Sequence, residues 1–236
     1  MDVDELSHGS KPDAGSPDGS TDAGSQDGAT DAPGVPFCAR ATHAFCDSFD
    51  RTSLMDGWTS TESAPGGELT LSSLRAASPP QSLLVKLPRR DTSKTSEVIV
   101  KQWSQTFRRV LVEFDFFLEA PAFVDGDSTA AIVGVEFWSD GGGYGFYAGR
   151  GAGLSAVGGD DLPPFPTDTW LHARLDVDPI AKVARGSIGD LRFDVPFPAP
   201  AAGSSPSIAL RLGVVGYNVP SPAFAIHYDN VAVDFP

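Results

Sequence analysis

Three carboxylates lie on one short alternating stretch, VEFDFFLE at residues 112–119. Pairs of carboxylates cleave glycosidic bonds when they lie about 5–5.5 Å apart in retaining enzymes or about 6.5–9.5 Å apart in inverting ones. Glu113 and Glu119 are six residues apart, which on an extended strand is roughly 20 Å. This spacing excludes them as a catalytic pair. Glu113 and Asp115 are closer neighbours. We interpret them as acids on the solvent-exposed face of a strand, where a ligand can reach them.

Aromatic and polar side chains alternate on other segments in a pattern that suits a sugar, which stacks on aromatic faces and takes hydrogen bonds at its hydroxyls. In segment 131–138, Glu136 and Trp138 share one face, and in segment 170–177 a Trp, a His, an Arg and an Asp share another. If these strands are neighbours, they form one groove floor. The alternative is that Trp138 and Trp170 pack under loops at the rim of a sheet. The predicted ligand-binding residues are Glu113, Asp115, Glu136, Trp138, Tyr147, Arg150, His172, Arg174 and Asp176.

The sequence has no zinc or nucleotide motif. Zinc sites need paired ligands, whereas this chain has two cysteines and four scattered histidines, His8, His43, His172 and His227. The stretch GRGAG at 149–153 lacks the spacing of a nucleotide-binding loop and indicates a turn or bulge.

The two cysteines, Cys38 and Cys46, enclose the short segment CARATHAFC. Such a pair in an exported chain is typical of a disulfide, and we predict one here. It would fasten the start of the folded part onto the first strand. Two reduced, buried thiols are the alternative.

The elements that must position these residues are strands, because the apolar pattern has period two and no stretch shows a convincing helical period. Clusters of Gly, Pro, Asp and Ser separate the alternating segments. We therefore predict an all-β fold, an antiparallel two-sheet β-sandwich. The clearest strand segments are 107–118, 131–138, 170–177, 207–215 and 224–233.

Residues 45–236 resemble the laminin G-like, concanavalin A-like jelly-roll family. The resemblance implies two curved antiparallel sheets packed face to face, and a concave sheet that often holds a sugar site. It identifies the fold better than the activity. The segments that resemble the family are FCDSFDR (45–51), GWTS (57–60), GGELTL (66–71), SPPQSLLVKLP (78–88), TDTWLHARLDVD (167–178), KVARGSIGDLRF (182–193), LRLGVVGY (210–217) and YDNVAV (228–233).

Enzymes of the family that this chain resembles place their catalytic residues in recognisable patterns. Laminarinase- and lichenase-type hydrolases use Glu-x-Asp-x-Glu or Glu-x-Asp-x-x-Glu on one strand, but here Phe117 and Leu118 stand where the last Glu is required. We therefore predict no such activity and assign no catalytic residue. The family's polysaccharide lyases use a Gln-x-His strand with Arg and Tyr. We find no such strand, although a similar set would arise if these residues converge: Tyr144, Tyr147, Arg150, His172 and Arg174.

The resemblance also makes the first and last strands neighbours, which motivates a calcium prediction. Asp47 shares strand parity with Phe45 and Phe49, and Asp229 shares parity with Val231. Both carboxylates are therefore expected to lean toward the core and to hold one structural calcium. The alternative is that each acid caps backbone N–H groups or pairs with an arginine such as Arg51.

Residues 1–36 have too little apolar bulk to fold, and we predict a disordered tether followed by one domain over residues 37–236. The tether holds eight of the 31 acids and one of the 17 basic residues, so the domain itself is only mildly acidic. The lack of a concentrated basic surface argues against nucleic acid as a partner.

MDVDELSHGS has no apolar signal region, and no run is long enough to span a bilayer.

Low Lys, abundant Ser, Thr and Gly, and the cysteine pair are nevertheless typical of an exported protein. The tether resembles the stalks of bacterial surface lipoproteins, so we expect an exported monomer at the cell surface whose signal segment has been replaced by Met1. The leading functional interpretation is non-catalytic glycan binding. A polysaccharide-active hydrolase or lyase and an adhesive protein-binding module are the alternatives.

Overall fold

The computed structural model describes residues 36–89, 95–104, 107–119, 129–139, 142–150, 166–196, 207–217 and 223–236. Residues 1–35, nearly all of the predicted tether, lie outside this description. The described residues form a short 3₁₀ helix, Phe37–Ala39, and thirteen strands. The strands are β1 (Phe45–Asp47), β2 (Ser60–Glu62), β3 (Glu68–Ser72), β4 (Ser82–Leu87), β5 (Thr95–Trp103), β6 (Val110–Leu118), β7 (Thr129–Ser139), β8 (Gly142–Arg150), β9 (Trp170–Asp178), β10 (Val183–Ile188), β11 (Leu191–Pro196), β12 (Ser207–Tyr217) and β13 (Phe224–Asp234).

The strands form two antiparallel sheets, which confirms the predicted β-sandwich. The eight-stranded sheet has the order β11-β10-β9-β6-β13-β4-β3, with β1 paired to β13 beyond the end of β4. The five-stranded sheet has the order β2-β5-β12-β7-β8. All five segments that the sequence pattern marked most clearly are strands, with ends that differ by a few residues.

One face of each sheet builds the core, as period-two alternation requires. Val112, Phe114 and Phe116 on β6 are fully buried, and so are Leu210 and Leu212 on β12 of the other sheet. These side chains belong to one continuous apolar cluster. The residues between them on β6 and β9 therefore point away from the core, onto the outer face of the eight-stranded sheet.

A β-bulge interrupts this alternation in the last strand. Asp229 pairs with Asp115, but the next pair along the two strands is Ala232 with Glu113. Two residues, 230 and 231, thus stand opposite one, which is the count that defines a bulge. Asn230 takes up the extra length with a φ of +52°, a left-handed conformation that asparagine tolerates better than most residues.

A buried tyrosine ties the two sheets together. Tyr228 on β13 is fully buried, and its hydroxyl donates to the carbonyl of Ile132 on β7 at 2.6 Å. The same oxygen lies 3.2 Å from the carbonyl of Gly213 on β12. Burial raises the pKa of Tyr228 well above its ordinary value, so the hydroxyl keeps its proton and remains a donor. This contact fixes the position of β13, and with it the bulge at Asn230.

The predicted disulfide is present and closes the start of the domain. Cys38 and Cys46 are bonded, linking the 3₁₀ helix to β1. A second contact holds the same segment, because His43 Nδ1 lies 2.8 Å from Asp234 Oδ2 at the end of β13. The backbone N–H of Ala44 donates to the other carboxylate oxygen of Asp234 at 3.0 Å. The N-terminal segment of the domain is therefore clamped to the last strand.

Removing the disulfide is expected to lower the free energy of unfolding by about 2–3 kcal/mol, because the unfolded chain regains the entropy of an open loop. The variant to test is Cys38→Ser/Cys46→Ser, measured by urea denaturation beside the oxidised native chain. Reducing the native chain should reproduce the loss, and the double variant should be insensitive to reductant. Equal stability of the oxidised and reduced native chain would contradict this expectation.

Candidate functional site

The outward residues of β6 and β9 form a continuous patch, which we call the β6–β9 face. It is defined by three directly opposed pairs: Glu113 with Arg174, Asp115 with His172, and Phe117 with Trp170. Directly opposed residues of antiparallel strands have their side chains on the same face. Asp176 extends the row along β9. Of the predicted ligand-binding residues, this register brings together Glu113, Asp115, His172, Arg174 and Asp176.

Each acid of the face contacts a basic side chain. Arg174 Nε lies 3.3 Å from Glu113 Oε1, and His172 Nδ1 lies 2.8 Å from Asp115 Oδ1. Arg109, just before β6, holds Asp176 with two contacts, of which Nε to Oδ1 is 2.6 Å. The face is therefore a ladder of two arginine–carboxylate ion pairs and one histidine–carboxylate hydrogen bond, and fixed polar groups of this kind orient a polar ligand.

Asn230, the residue at the β-bulge, also holds the carboxylate of Asp115 in place. The side-chain amide of Asn230 donates to Asp115 Oδ2 at 2.7 Å, while Asp115 Oδ1 meets His172. The amide oxygen of Asn230 accepts from the Ser78 hydroxyl at 2.7 Å. The backbone N–H of Ser78 in turn donates to Asp229 Oδ2 at 2.8 Å. A continuous hydrogen-bond chain thus runs from Ser78, in the loop between β3 and β4, to the imidazole of His172.

The hydrogen bond from Asp115 raises the pKa of His172 above its ordinary value of 6.5, against the opposing effect of burial. Asp115 engages Nδ1, so Nε2 is the ring nitrogen that can meet a ligand. A raised pKa means that this pairing stabilises the fold below about pH 6.5. That contribution is lost as the pH rises through the raised pKa.

We expect Asp115→Asn to lower the pKa of His172, because the substitution removes the carboxylate that favours the imidazolium. The measurement is an NMR pH titration of the His172 ring C–H signals in the native chain and in the variant. Glu119→Gln is a matched control, since Glu119 contacts His227 and not His172. A His172 pKa unchanged by Asp115→Asn, or lowered equally by both variants, would contradict the geometry.

Aromatic rings form one end of the face. The rings of Phe117 and Trp170 lie edge to face with centroids 5.7 Å apart. Phe117 is buried, whereas Trp170 is only half-buried. The guanidinium of Arg75 lies 4.4 Å from the centre of the Phe117 ring. Arg75 therefore covers Phe117, and Trp170 is the aromatic surface of this pair that a ligand can reach.

Glu119, which is partly exposed, belongs to a separate network with His227. His227 is fully buried, with Nε2 3.0 Å from Glu119 Oε1 and Nδ1 3.2 Å from Ser82 Oγ. Burial lowers the pKa of His227. Glu113, by contrast, contacts Arg174 in the ladder. The two glutamates thus have different partners, in agreement with the interpretation that they are not a catalytic pair.

The predicted single groove floor, with β7 and β8 beside β9, is wrong. β7 and β8 belong to the five-stranded sheet, and β9 belongs to the eight-stranded one. Glu136 is buried and contacts Arg211 Nε at 2.8 Å on the outer side of the five-stranded sheet. Trp138, Tyr147 and Arg150 lie on the same sheet as Glu136, and their side chains lie outside the described part. The lyase-like set is divided in the same way, because Tyr144, Tyr147 and Arg150 are on β8 while His172 and Arg174 are on β9.

The expected juxtaposition of Asp47 and Asp229 is also wrong. Asp47 pairs with the core residue Val231, whereas the bulge places Asp229 on the opposite face, beside Asp115. Asp47 accepts from Trp58 Nε1 at 2.6 Å and meets Arg51 Nη2 at 2.6 Å. Each acid therefore has its own protein partners. In the part of the chain that the structure describes, no three His, Cys, Asp or Glu side chains are placed to bind a metal ion, and calcium stays a prediction from sequence.

Sequence reasoning missed the residues that support the face. Arg109 precedes β6, and Arg75 and Ser78 lie in a loop, so no periodicity connects them with β9. Alternation places Phe117 on the outer face of its strand, but no pattern in the sequence pairs it with Trp170. Asn230 had a usable signal, because an asparagine in mid-strand tolerates the left-handed conformation that a bulge needs.

The chain matches no protein-family model and no curated protein sequence. Its fold is nevertheless shared with solved structures. An endo-β-1,4-glucuronan lyase from the fungus Trichoderma reesei superposes with a TM-score of 0.63 at 10% identity, over 83% of this chain and 96% of the lyase. A cellulose-induced protein gives a TM-score of 0.55 at 13% identity, over 80% and 96% of the two chains. A sialidase gives 0.54 at 12% identity, over 82% of this chain but only 18% of the sialidase. At these identities the likeness establishes the fold alone.

Proposed function

We propose that the chain binds carbohydrate on the β6–β9 face. The observation that supports this most is the register of β6 and β9, which places a half-buried Trp170 beside a row of fixed charged groups. An indole face stacks on a sugar ring, and carboxylates, guanidinium and imidazole exchange hydrogen bonds with hydroxyls. The fold is also that of a lyase and a cellulose-induced protein whose names refer to polysaccharides.

The test is affinity electrophoresis of the full chain in gels that contain cellulose derivatives, xylan, laminarin, polygalacturonate or chitosan. At least one should retard the native chain, and Trp170→Ala should weaken that retardation about tenfold because the stacking surface is lost. Ile180→Ala, at an exposed apolar position in the β9–β10 turn, is the control and should behave as the native chain. Retardation by none of these polymers, or equal retardation of Trp170→Ala, would overturn the proposal.

An exported location follows from the same proposal. The Cys38–Cys46 disulfide needs an oxidising compartment to persist, and polysaccharides are extracellular partners. No helix among the described residues is long and apolar enough to cross a membrane. The tether over residues 1–36 would hold the binding domain away from a surface, and its attachment by a lipid is the form that we propose. Labelling of the protein with a radioactive fatty acid in its natural host tests that attachment directly.

Cleavage of the bound polysaccharide is a second candidate function, favoured by the hydrogen-bond chain from Asn230 through Asp115 to His172. A carboxylate on Nδ1 orients an imidazole so that Nε2 can exchange a proton with a ligand. New reducing ends or new unsaturated products from a bound polymer would support this function. His172→Ala should abolish them without abolishing retardation in the gel. Product formation that survives His172→Ala would exclude the dyad as the cause.

A further inference from the structure

The charges on the β6–β9 face are arranged in layers. The side chain of Arg174 is 57% exposed and its partner Glu113 only 30%. His172 is 53% exposed over Asp115 at 22%, and Arg109 is 47% exposed over Asp176 at 19%. In all three pairs, the basic side chain is the more exposed group and the acid is the less exposed one.

Three other ion pairs of the eight-stranded sheet do not show this layering. Arg185 and Asp194, on the neighbouring strands β10 and β11, are exposed at 58% and 61%. Lys86 with Glu68, and Arg75 with Glu119, are also about equally exposed. The greater length of a basic side chain therefore does not by itself produce the layering. All three pairs of the face that also presents Trp170 share the layering.

From this layering we infer that the ligand is an acidic polysaccharide, recognised through its carboxylate or sulfate groups; the inference rests on the proposed carbohydrate binding. A ligand that lies on the face meets the cations first, and the inner acids hold those cations in place. Guanidinium suits this task because its rigid N–H groups match the oxygens of a carboxylate or sulfate. Arg174 contacts Glu113 through Nε and its side chain is still 57% exposed, so a ligand can reach the guanidinium.

The spacing of the cations also fits a polymer. Asp176, Arg174, His172 and Trp170 are successive outward residues of β9, so adjacent positions are about 6.6 Å apart along the strand. The row of cations, with Trp170 at its end, spans several sugar units in one direction. The net charge of the chain is −14, so long-range attraction does not bring a polyanion to this surface. Recognition must come from these local contacts.

The test compares each acidic polymer with a partner that lacks only the charge. Polygalacturonate is paired with its methyl ester, and dextran sulfate with dextran, in titration calorimetry of the full chain. We expect the carboxylate or the sulfate polymer to bind at least about tenfold more tightly than its neutral partner. Which of the two pairs shows the preference identifies the anionic group.

Arg174→Gln should remove that preference. Arg174→Lys should keep part of it, because lysine retains the positive charge but lacks the paired N–H donors of a guanidinium. Arg185→Gln, which alters an evenly exposed pair, is the control and should bind as the native chain. Equal affinity for charged and neutral partners, or an unchanged preference in Arg174→Gln, would overturn this inference while leaving carbohydrate binding intact. Failure of the native chain to bind any polymer in the gels would overturn the proposed function itself.

Discussion

The free energy of unfolding of the native chain is expected to fall by about 3–4 kcal/mol through Asp229 alone as the pH rises from about 4 to about 8. Asp229 is fully buried, and burial raises its pKa from 3.8 to about 7, although hydrogen bonds from Ser78 and Asn230 oppose the rise. A carboxyl whose folded pKa is raised stabilises the fold fully below its unfolded pKa. That contribution is lost as the pH passes through 7.

The measurement is urea denaturation across this pH range for the native chain and for Asp229→Asn, which cannot titrate. The difference in unfolding free energy, variant minus native, should grow with pH. Asp194→Asn, at a largely exposed carboxylate on β11, should run parallel to the native curve. Calcium bound at Asp229 would keep the carboxylate ionised and give the opposite trend with pH. A difference that does not change with pH would also contradict the account of this site.

Replacing Gly213 by alanine is expected to lower the free energy of unfolding by about 3–5 kcal/mol. Gly213 has a φ of +132°, and an added Cβ would lie 2.1 Å from the carbonyl oxygen of Glu97 and 2.8 Å from the Cα of Val98. Both are backbone atoms of β5, which cannot move aside without breaking its pairing with β12. The carbonyl oxygen of Gly213 also lies 3.2 Å from the Tyr228 hydroxyl, so the damage would reach the other sheet.

Gly189→Ala is the matched control for this substitution. Gly189 also has a positive φ, +56°, but the nearest atom to an added Cβ is a side-chain carbon of Leu171 at 3.3 Å. Gly189→Ala should lower the free energy of unfolding by about 1–2 kcal/mol, because alanine is strained in the left-handed conformation. Denaturation curves of the two variants would show the difference. A Gly213→Ala variant as stable as Gly189→Ala would mean that β5 and β12 are not packed as described.

The sequence was sufficient to predict the fold class and which residues of each strand point away from the core, because both depend on local alternation. Glu113, Asp115, His172 and Arg174 could be assigned to outward faces from the apolar residues between them. Their pairing could not be assigned, since register between distant strands depends on the whole sheet. The assignment of β7 and β9 to one surface failed for the same reason: alternation gives the face of a strand but not the sheet to which it belongs.

The expected juxtaposition of Asp47 and Asp229 failed through a single residue. Counting by twos from Val233 places Asp229 on the core side, and that counting is valid only in a strand without interruption. The bulge at residues 230 and 231 shifts the count by one and turns Asp229 to the outer face. For Asp47, the strand has no bulge and the inward assignment was right, but its partners are Trp58 and Arg51. The alternative, in which each acid caps backbone N–H groups or pairs with an arginine, describes both Asp47 and Asp229.

The central claim is that carbohydrate binds on the outer face of β6 and β9, and NMR mapping tests it most directly. Isotope-labelled full chain would be titrated with tetragalacturonate, cellotetraose and xylotetraose. For at least one of them, we expect shifts of the Trp170 indole N–H, of the His172 ring and of backbone amides in 113–117 and 170–176. Residues of β5 and β12 should remain unchanged. Shifts confined to the five-stranded sheet, or no shifts with any of the three sugars, would contradict the account.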